Sequence, residues 1–374
     1  MPKRRANNEG SIYRNATKDR WDGKVSVNGR RKVVTGKTRK EVLNKLADLR
    51  RQIDNTGGVP EADVTVARYL AWWLSDVLPR TASTGTVQNY NDIVRLYIEP
   101  TIGKVKLTQL RPDHVRTMVA TIAAQGLSPN TQRLARSVLR RALRTAESDG
   151  RVTRNVAALV DGVRVPAPEG RTLTIDDARK LLDVARGHRL EAAVVVALTT
   201  GLRRGELLGL TWEDVDLKRG TLTIRRALKR RAGGLVLEEP KTRGSRRTVH
   251  IGKLGVDALK AHRASQATEK LKAGPMWSTE WPAMVFTSQV GTPADPDHFK
   301  HLISQLTTKA GLGHWSPHEL RHSAASLLIA QGVDLKVISE TLGHASIRQT
   351  ADTYGHLMGD AKKVAATAMD DALS

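Results

Sequence analysis

Two short segments of the sequence hold residues that could act on a phosphate group. Arg203 follows Gly201, at which an apolar helix should end, and Glu206 stands where it could hold the guanidinium fork in place. Lys241 follows a proline in a turn between two strand-like runs, where an outward lysine could protonate a leaving oxygen. Taken singly, each residue is more typical of a solvated surface than of a reaction site.

A third segment, S-P-H-E-L-R-H at residues 316–322, permits two opposed interpretations. It contains H-E-x-x-H, the zinc protease motif, and Glu340 could be sought as a third ligand. It also contains a capping box of serine, proline and Glu319, which would commit that glutamate to structure. His318 and Arg321 would then face one site near the positive end of a helix, where an anion is favoured and zinc is repelled. The second interpretation is the better supported.

A fourth segment, residues 342–356, places His344 directly after a glycine and Tyr354 ten residues later. Either residue alone is more often packed or on the surface than reactive. Their order behind the three earlier segments is what gives them meaning.

Composition indicates a polyanionic partner. The 374 residues hold 61 Lys and Arg against 38 Asp and Glu, which gives a net charge of +23. DNA, RNA and acidic membranes all fit this charge. The longest apolar run, 192–198, is far shorter than the ~20 residues that span a bilayer, so no membrane partner is expected. Cysteine is absent, which excludes disulfides and thiolate chemistry and suits a reducing cytoplasm.

The pattern predicts a multidomain protein, mainly α with small β-sheets (α+β), in three segments: 1–58, 61–163 and 172–374. The first segment carries a charge of +10 and should anchor phosphates. The strand-like runs are Ser11–Arg14, Trp21–Val27 and Arg31–Thr35, with turns expected at Asp22-Gly23 and Asn28-Gly29. A helix capped by Thr38 follows. The candidate DNA contacts in this segment are Lys24, Arg30, Arg31 and Lys32.

The second segment has a helical period throughout, with helix starts at Thr84, Pro112 and Ser128. One arginine stripe runs along its last helix. Its members, spaced three, four and four apart, are Arg133, Arg136, Arg140 and Arg144. A solvated face and a DNA-facing one are equally good interpretations of this stripe.

The third segment should begin with a helix capped at Thr174 and continue with a buried helix around 192–198. Three strand-like runs follow and are predicted to form a three-stranded sheet: Thr221–Leu228, Gly234–Glu239 and Arg246–Ile251. The remainder is expected to be helical.

The reactive residues of these four segments follow one another in an order that resembles the catalytic series of the phage-integrase type of the tyrosine recombinase family. That series runs Arg, Lys, His-x-x-Arg, His or Trp, then Tyr. The counterparts here are Arg203, Lys241, His318, Arg321, His344 and Tyr354. The flanking words T-G-L-R-x-x-E-L, H-x-L-R-H and L-G-H resemble the family as well.

The resemblance implies a site-specific integrase acting through a 3′-phosphotyrosyl intermediate. Tyr354 would be the nucleophile, His318 its base by family analogy, and Lys241 the acid for the 5′ oxygen. Arg203 and Arg321 would hold the non-bridging oxygens, with both histidines completing the cradle. The reaction needs neither a metal ion nor a nucleotide cofactor.

The resemblance also implies partners. The first two segments are similar to arm-type and core-type DNA-binding domains, and the family works as a tetramer on double-stranded DNA, with DNA-bending and excision factors as possible helpers. An apolar stripe near the C-terminus could dock on a neighbouring protomer or on its own domain. The DNA that is integrated would be that of a phage or another mobile element.

Two other functions remain open: a type IB topoisomerase that relaxes supercoils, and a DNA-binding protein with an idle site.

Overall fold

The computed structural model describes residues 11–27, 30–56, 64–165, 171–231, 233–239, 246–344, 346–355, 367 and 369–374. The chain divides into two compact units, 1–167 and 168–374. Separate domains for 1–58 and 61–163 stay a prediction.

Within the described ranges, the first unit has a small sheet followed by helices. Its elements are β1 (Ser11–Asn15), β2 (Arg20–Val27), β3 (Arg30–Gly36), α1 (Arg39–Thr56), α2 (Val66–Trp72), α3 (Thr84–Ile93), α4 (Glu99–Ile102), α5 (Pro112–Ala124) and α6 (Pro129–Ser148).

The second unit is mixed but mostly helical. Its described elements are α7 (Ile175–Ala185), α8 (Glu191–Thr200), α9 (Arg204–Leu208), β4 (Val215–Asp216), β5 (Thr221–Ile224), β6 (Ala227–Arg231), β7 (Gly234–Glu238), β8 (Arg247–His250), α10 (Lys253–Ala273), α11 (Pro296–Lys309), α12 (Pro317–Ala330), α13 (Leu335–Leu342) and α14 (Ile347–Tyr354). The predicted class, mainly α with small β-sheets, is confirmed.

The N-terminal sheet is antiparallel in the order β1-β2-β3. The expected turn at Asp22-Gly23 is wrong, because both residues lie inside β2 and pair with both neighbouring strands. The chain turns instead through a 3₁₀ segment, Ala16–Lys18. Gly23 is needed for packing, since a Cβ there would lie 2.6 Å from Cγ1 of Val42 on α1. The other expected turn, Asn28-Gly29, lies outside the described residues.

The helices of the first unit enclose an apolar core. Tyr69 and Trp73 are fully buried in it, and the Tyr69 hydroxyl donates to the Ala142 carbonyl at 2.7 Å. Ser83 caps α3 and Ser128 caps α6, each through its own hydroxyl. These local caps are why the helix starts could be predicted closely.

The second unit is built around α8. The run 192–198 is buried on every face, and α7, α10 and α12 pack around it. The helix before it begins with a reciprocal box between Thr174 and Asp177, which confirms the cap expected at Thr174. Among the described residues, no helix combines the length and the apolarity needed to cross a membrane.

The β-strands of the second unit differ from the prediction. The run Thr221–Leu228 is two strands, because Arg225 and Arg226 turn towards the buried carboxylate of Asp214, 3.6 and 3.4 Å away. β5 pairs with β4 and β8, whereas β6 pairs only with β7 among the described strands. The three-stranded sheet is therefore β4-β5-β8, and the run Gly234–Glu239 belongs to a separate hairpin.

Candidate active site

Helix α12 begins with the capping box that its sequence predicts. The Ser316 amide donates to the Glu319 carboxylate at 2.8 Å, and the Glu319 amide donates to the Ser316 hydroxyl at 3.4 Å. Arg171 donates to the same carboxylate at 2.7 Å. Burial raises the pKa of Glu319, but the hydrogen bonds from Arg171 and Ser316 outweigh it and lower the pKa overall. Glu319 is therefore an ionised structural group.

The zinc interpretation of H-E-x-x-H loses its general base in this way. Glu319 is already bound by Ser316 and Arg171, so it is not free to activate water. In the part of the chain that the structure describes, no three His, Asp or Glu side chains converge as metal ligands.

Arg321 lies one turn into α12 and is only 4% exposed. Its Nη1 donates to the Gly201 carbonyl at 2.7 Å, while its Nη2 is buried without a protein partner. Burial and the nearby charge of Arg203 lower the pKa of Arg321 to about 10, so the group remains a cation at neutral pH. A buried cationic donor with no partner indicates an anion site.

Arg203 occupies the N-cap position of α9. Its Nη1 donates to Glu206 at 2.8 Å and its Nη2 donates to the Gly343 carbonyl at 3.0 Å. Glu206 therefore holds the Arg203 guanidinium, as the spacing of the two residues predicts. Gly343 directly precedes His344, so the loop that carries His344 also holds Arg203.

Arg247, on β8, is a residue that the sequence analysis missed. It donates to Glu206 at 2.9 Å and to the Thr341 carbonyl at 2.7 Å, so one carboxylate holds two guanidinium groups. Burial raises the pKa of Glu206, but Arg247 and Arg203 lower it overall. No local signal points to Arg247, because its partners are far away in sequence.

His344 lies in the loop between α13 and α14, with its Nδ1 2.7 Å from the Thr350 hydroxyl. Burial, followed by the charges of Arg321 and Arg203, lowers the pKa of His344 to about 4. The ring is therefore neutral at physiological pH, and Thr350 fixes its orientation.

Tyr354 ends α14 and is only 3% exposed. Its hydroxyl lies 2.6 Å from Nδ1 of His322, whose Nε2 lies 3.3 Å from Nε2 of His318. Burial raises the pKa of Tyr354, and the charge of Arg321 offsets only part of that increase. His322 was expected from the sequence only as a zinc ligand in the H-E-x-x-H interpretation; its place one turn after His318 was the available signal.

An open pocket of about 340 Å³ lies beside these groups. Its walls are largely cationic and include the capped start of α12. The lining residues are Arg203, Arg204, Lys300, Ser316, Pro317, His318 and Arg321. The structure thus brings Arg203, His318 and Arg321 to one cavity, while Lys241 lies outside the described residues. The arrangement can bind a phosphate through paired donors.

The arginine stripe of α6 has three exposed members and one buried one. Arg133, Arg140 and Arg144 are exposed. Arg136 is only 9% exposed and donates to the Val160 carbonyl, so its inclusion in an exposed stripe is wrong. The three-residue step from Arg133 rotates Arg136 towards the core.

In the first segment, Lys24 is exposed and lies 4.7 Å from the centre of the Tyr13 ring. The side chains of Arg30, Arg31 and Lys32 lie outside the described residues. As DNA contacts, all four stay predictions.

A second basic cavity, of about 1080 Å³, lies in the first unit between residues 104–111 and 150–156. Five cationic side chains line it: Lys104, Lys106, Arg111, Arg151 and Arg154. Their dispersed positions in the sequence hid this surface from pattern analysis.

Comparisons with known proteins identify the family of the chain. The model of the Phage integrase family matches residues 171–359, and that of the Phage integrase, N-terminal SAM-like domain matches residues 65–122. An Integrase of Streptomyces ambofaciens is 32% identical, covering 99% of this chain and 98% of its own. A Tyrosine recombinase XerC-like protein of Caldanaerobacter subterraneus subsp. tengcongensis is 30% identical, covering 91% of this chain and 92% of its own.

Solved structures share the fold. The Tn1549 transposon integrase in complex with transposon right end DNA aligns with a TM-score of 0.69 at 21% identity, covering 83% of this chain and 99% of its own. A lambda integrase dimer bound to a COC′ core site aligns with a TM-score of 0.58 at 18% identity, covering 94% and 96%. With the family model over 171–359 and relatives similar along nearly the whole length, the chain belongs to the phage integrase family of tyrosine recombinases.

Proposed function

We propose that this protein is a site-specific DNA integrase in which Tyr354 attacks a phosphodiester and is displaced when the strand is rejoined. One observation carries the proposal: the Nη2 atom of the buried Arg321 has no protein partner. The same residue lines a cationic pocket together with Arg203 and His318. A phosphodiester repels nucleophiles because it is negatively charged, and its five-coordinate transition state concentrates more charge on the equatorial oxygens. Preorganised donors meet that charge without reorganising.

The geometry supports the proposed cradle roles. Arg203 and Arg321 are fixed by Glu206 and by backbone carbonyls, so each can give its remaining N–H groups to non-bridging oxygens. His344, as a neutral ring held by Thr350, can donate a hydrogen bond without adding a charge.

The proton on the leaving 5′ oxygen is proposed to come from Lys241, between β7 and β8. A lysine suits this task because its ammonium group can give a proton to the oxygen as negative charge develops on it. Departure of that oxygen leaves a 3′-phosphotyrosyl ester, which keeps the bond energy for a new 5′ hydroxyl.

DNA is the proposed partner of both units, with core-type sites contacted by the helical part of the first unit and arm-type sites by its N-terminal sheet. The basic cavity at 104–111 and 150–156 and the exposed Arg133, Arg140 and Arg144 supply the charge that a DNA backbone requires.

A tetramer on DNA is the proposed assembly, by analogy with the solved lambda integrase tetramer bound to a Holliday junction. Met369 and Leu373, at the C-terminus, are 60% and 80% exposed, which leaves them available to a second protomer.

The proposed cargo is a phage or other mobile element. An ICEBs1 integrase of Bacillus subtilis is 26% identical over 90% of this chain. Integration would occur in the host cytoplasm at the nucleoid, with a DNA-bending host factor and an excision factor as further partners.

The test is to trap the protein on a nicked suicide substrate made from DNA that flanks its gene. Loss of the short strand should leave an adduct that maps to Tyr354. Supercoil relaxation without preference for any DNA site would favour a topoisomerase, and DNA binding with no adduct would favour an idle binding protein.

A further inference from the structure

Among the described residues, the side chain that hydrogen-bonds to the Tyr354 hydroxyl is that of His322, which the family's catalytic series does not include. The oxygen lies 2.6 Å from His322 Nδ1, the length of a short hydrogen bond. The resemblance assigns the base to His318, but His318 contacts His322 in this structure.

The three groups form a continuous chain from the buried tyrosine to the pocket. His322 Nε2 lies 3.3 Å from His318 Nε2, and His318 lines the pocket beside Arg203 and Arg321. His318 and His322 are one turn apart on α12, so helix geometry alone keeps their rings together. Tyr354 is brought to them by α14, which packs on α13.

Two sets of tautomers satisfy these contacts, and the relay uses the set in which the tyrosine is the donor. Tyr354 donates its O–H to Nδ1 of His322, and the Nε2–H of His322 donates to the lone pair on Nε2 of His318. Both rings are then neutral, which agrees with pKa values lowered by burial and by neighbouring cations. A neutral imidazole is the form that can accept a proton.

We propose that His322 is the general base of the cleavage step and that it passes a proton to His318, which makes the two histidines a relay between Tyr354 and the phosphate. This inference rests on the proposed function and deepens it by reassigning the base.

The step balances within the chain. The O–H bond of Tyr354 breaks as its proton moves to Nδ1 of His322, and the Nε2–H proton of His322 moves to Nε2 of His318. The phenolic oxygen forms the bond to phosphorus, and the 5′ oxygen leaves with the proton proposed to come from Lys241. His322 finishes neutral and His318 finishes as a cation. A positive charge thus reaches the cradle as the transition state becomes more negative.

The surrounding charges tie this direction of transfer to the presence of a bound phosphate. The ionisable groups acting on the two rings are Arg321 and Glu319 on α12, Arg203 at α9 and His344 before α14. The cations oppose protonation of His318 while the pocket is empty. A bound phosphate adds the negative charge that offsets them.

The test measures single-turnover adduct formation on the suicide substrate by the full chain carrying His322→Asn. Asparagine can place its amide oxygen near the Nδ1 position and accept the tyrosine hydrogen bond, but it cannot take the proton. We expect adduct formation to slow by ~10²-fold or more near neutral pH, with DNA binding unchanged.

The pH profile separates a base from a merely structural residue. Hydroxide increasingly replaces a missing base as the pH rises towards the ionisation of Tyr354, whose pKa is raised by burial, so the defect should shrink as pH rises. A constant ratio between variant and wild type at all pH values would overturn the proposal. Added imidazole should restore part of the rate of His322→Ala, and no restoration would count against the relay.

The matched control is His250→Asn. His250 lies on the exposed face of β8, and Arg247 lies on the other face of that strand. The substitution should therefore change the rate of adduct formation by no more than about twofold. If wild type forms no adduct at Tyr354, the proposed function fails. If wild type forms it and His322→Asn forms it equally fast, the relay alone fails.

Discussion

The two units differ in what their interiors contain. In the helical part of the first unit the core is apolar, and Arg136 and Asn155 are the buried polar exceptions among its described residues. In the second unit the buried set includes Arg321, Glu206 and Asp214, and Tyr354 is buried as well.

This difference corresponds to two uses of charge. A surface that holds a DNA backbone works with exposed cations, which exchange counterions and respond to salt. A site that stabilises a transition state needs cations fixed before the substrate arrives, and burying them has a desolvation cost. The second unit offsets that cost with Glu206 and with carbonyl acceptors.

The sharpest test of the comparison is Tyr354→Phe. It removes the attacking oxygen and keeps most of the ring's packing, so adduct formation should fall below detection while DNA affinity stays within about twofold. Gel electrophoresis of the trapped complex, alongside a filter-binding titration, measures both. An adduct of undiminished yield would place the nucleophile elsewhere.

Arg321→Lys should have the next largest effect. A lysine keeps the charge but cannot both hold the Gly201 carbonyl and give paired donors to a phosphate, so the cleavage rate should fall by ~10²–10³. Single-turnover kinetics measure it. The control is Lys300→Arg, which also exchanges one cationic side chain for another at the pocket, but on α11. A loss under tenfold for Arg321→Lys would mean that charge suffices.

Glu206→Gln tests whether the buried cations depend on one carboxylate. Without the negative charge of Glu206, the guanidinium groups of Arg203 and Arg247 repel each other. The free energy of unfolding of the second unit should therefore fall by about 3–5 kcal/mol. Because folding lowers the pKa of Glu206, its contribution is fully present above the unfolded value near 4.5 and is lost as pH falls from there through the lower folded value. Thermal melts of wild type and variant should therefore converge at acid pH, and a difference independent of pH would contradict the ionic role.

The smallest expected effects come from a matched pair on α6. Arg136→Gln should cost about 1–3 kcal/mol, because the buried Val160 carbonyl loses a charged donor. Arg140→Gln should leave the melting temperature unchanged and reduce the salt dependence of DNA binding by a slope of ~0.9, the value for one phosphate contact. Equal effects of the two changes on both measurements would erase the distinction between buried and exposed arginines.

Local rules explain what could be predicted from the sequence. The caps at Thr174, Ser128 and Ser316 each join residues three apart, so their types and spacing were sufficient. The run 192–198 is apolar at every position, so it indicated a buried helix without any hydrophobic periodicity. The candidate catalytic residues were found by order and resemblance.

Contacts between distant residues explain what could not be predicted. The bond between His322 and Tyr354 spans 32 residues, and Arg247 reaches a carbonyl 94 residues away. Strand pairing is equally non-local, so the run Thr221–Leu228 gave no sign that it would serve two sheets. The burial of Arg136 depended on the rotation of α6, which charge spacing does not reveal.

The anchoring of the two candidate cradle arginines by glycine carbonyls bears on how this protein can evolve. Arg321 is held by Gly201 and Arg203 by Gly343, and both glycines adopt left-handed backbone angles, with φ of 62° and 68°. A carbonyl is present whatever the residue type, so the anchors require a backbone path rather than particular neighbouring side chains. Surrounding positions other than Glu206 can therefore change while the guanidinium groups keep their places, provided that these two turns remain glycine.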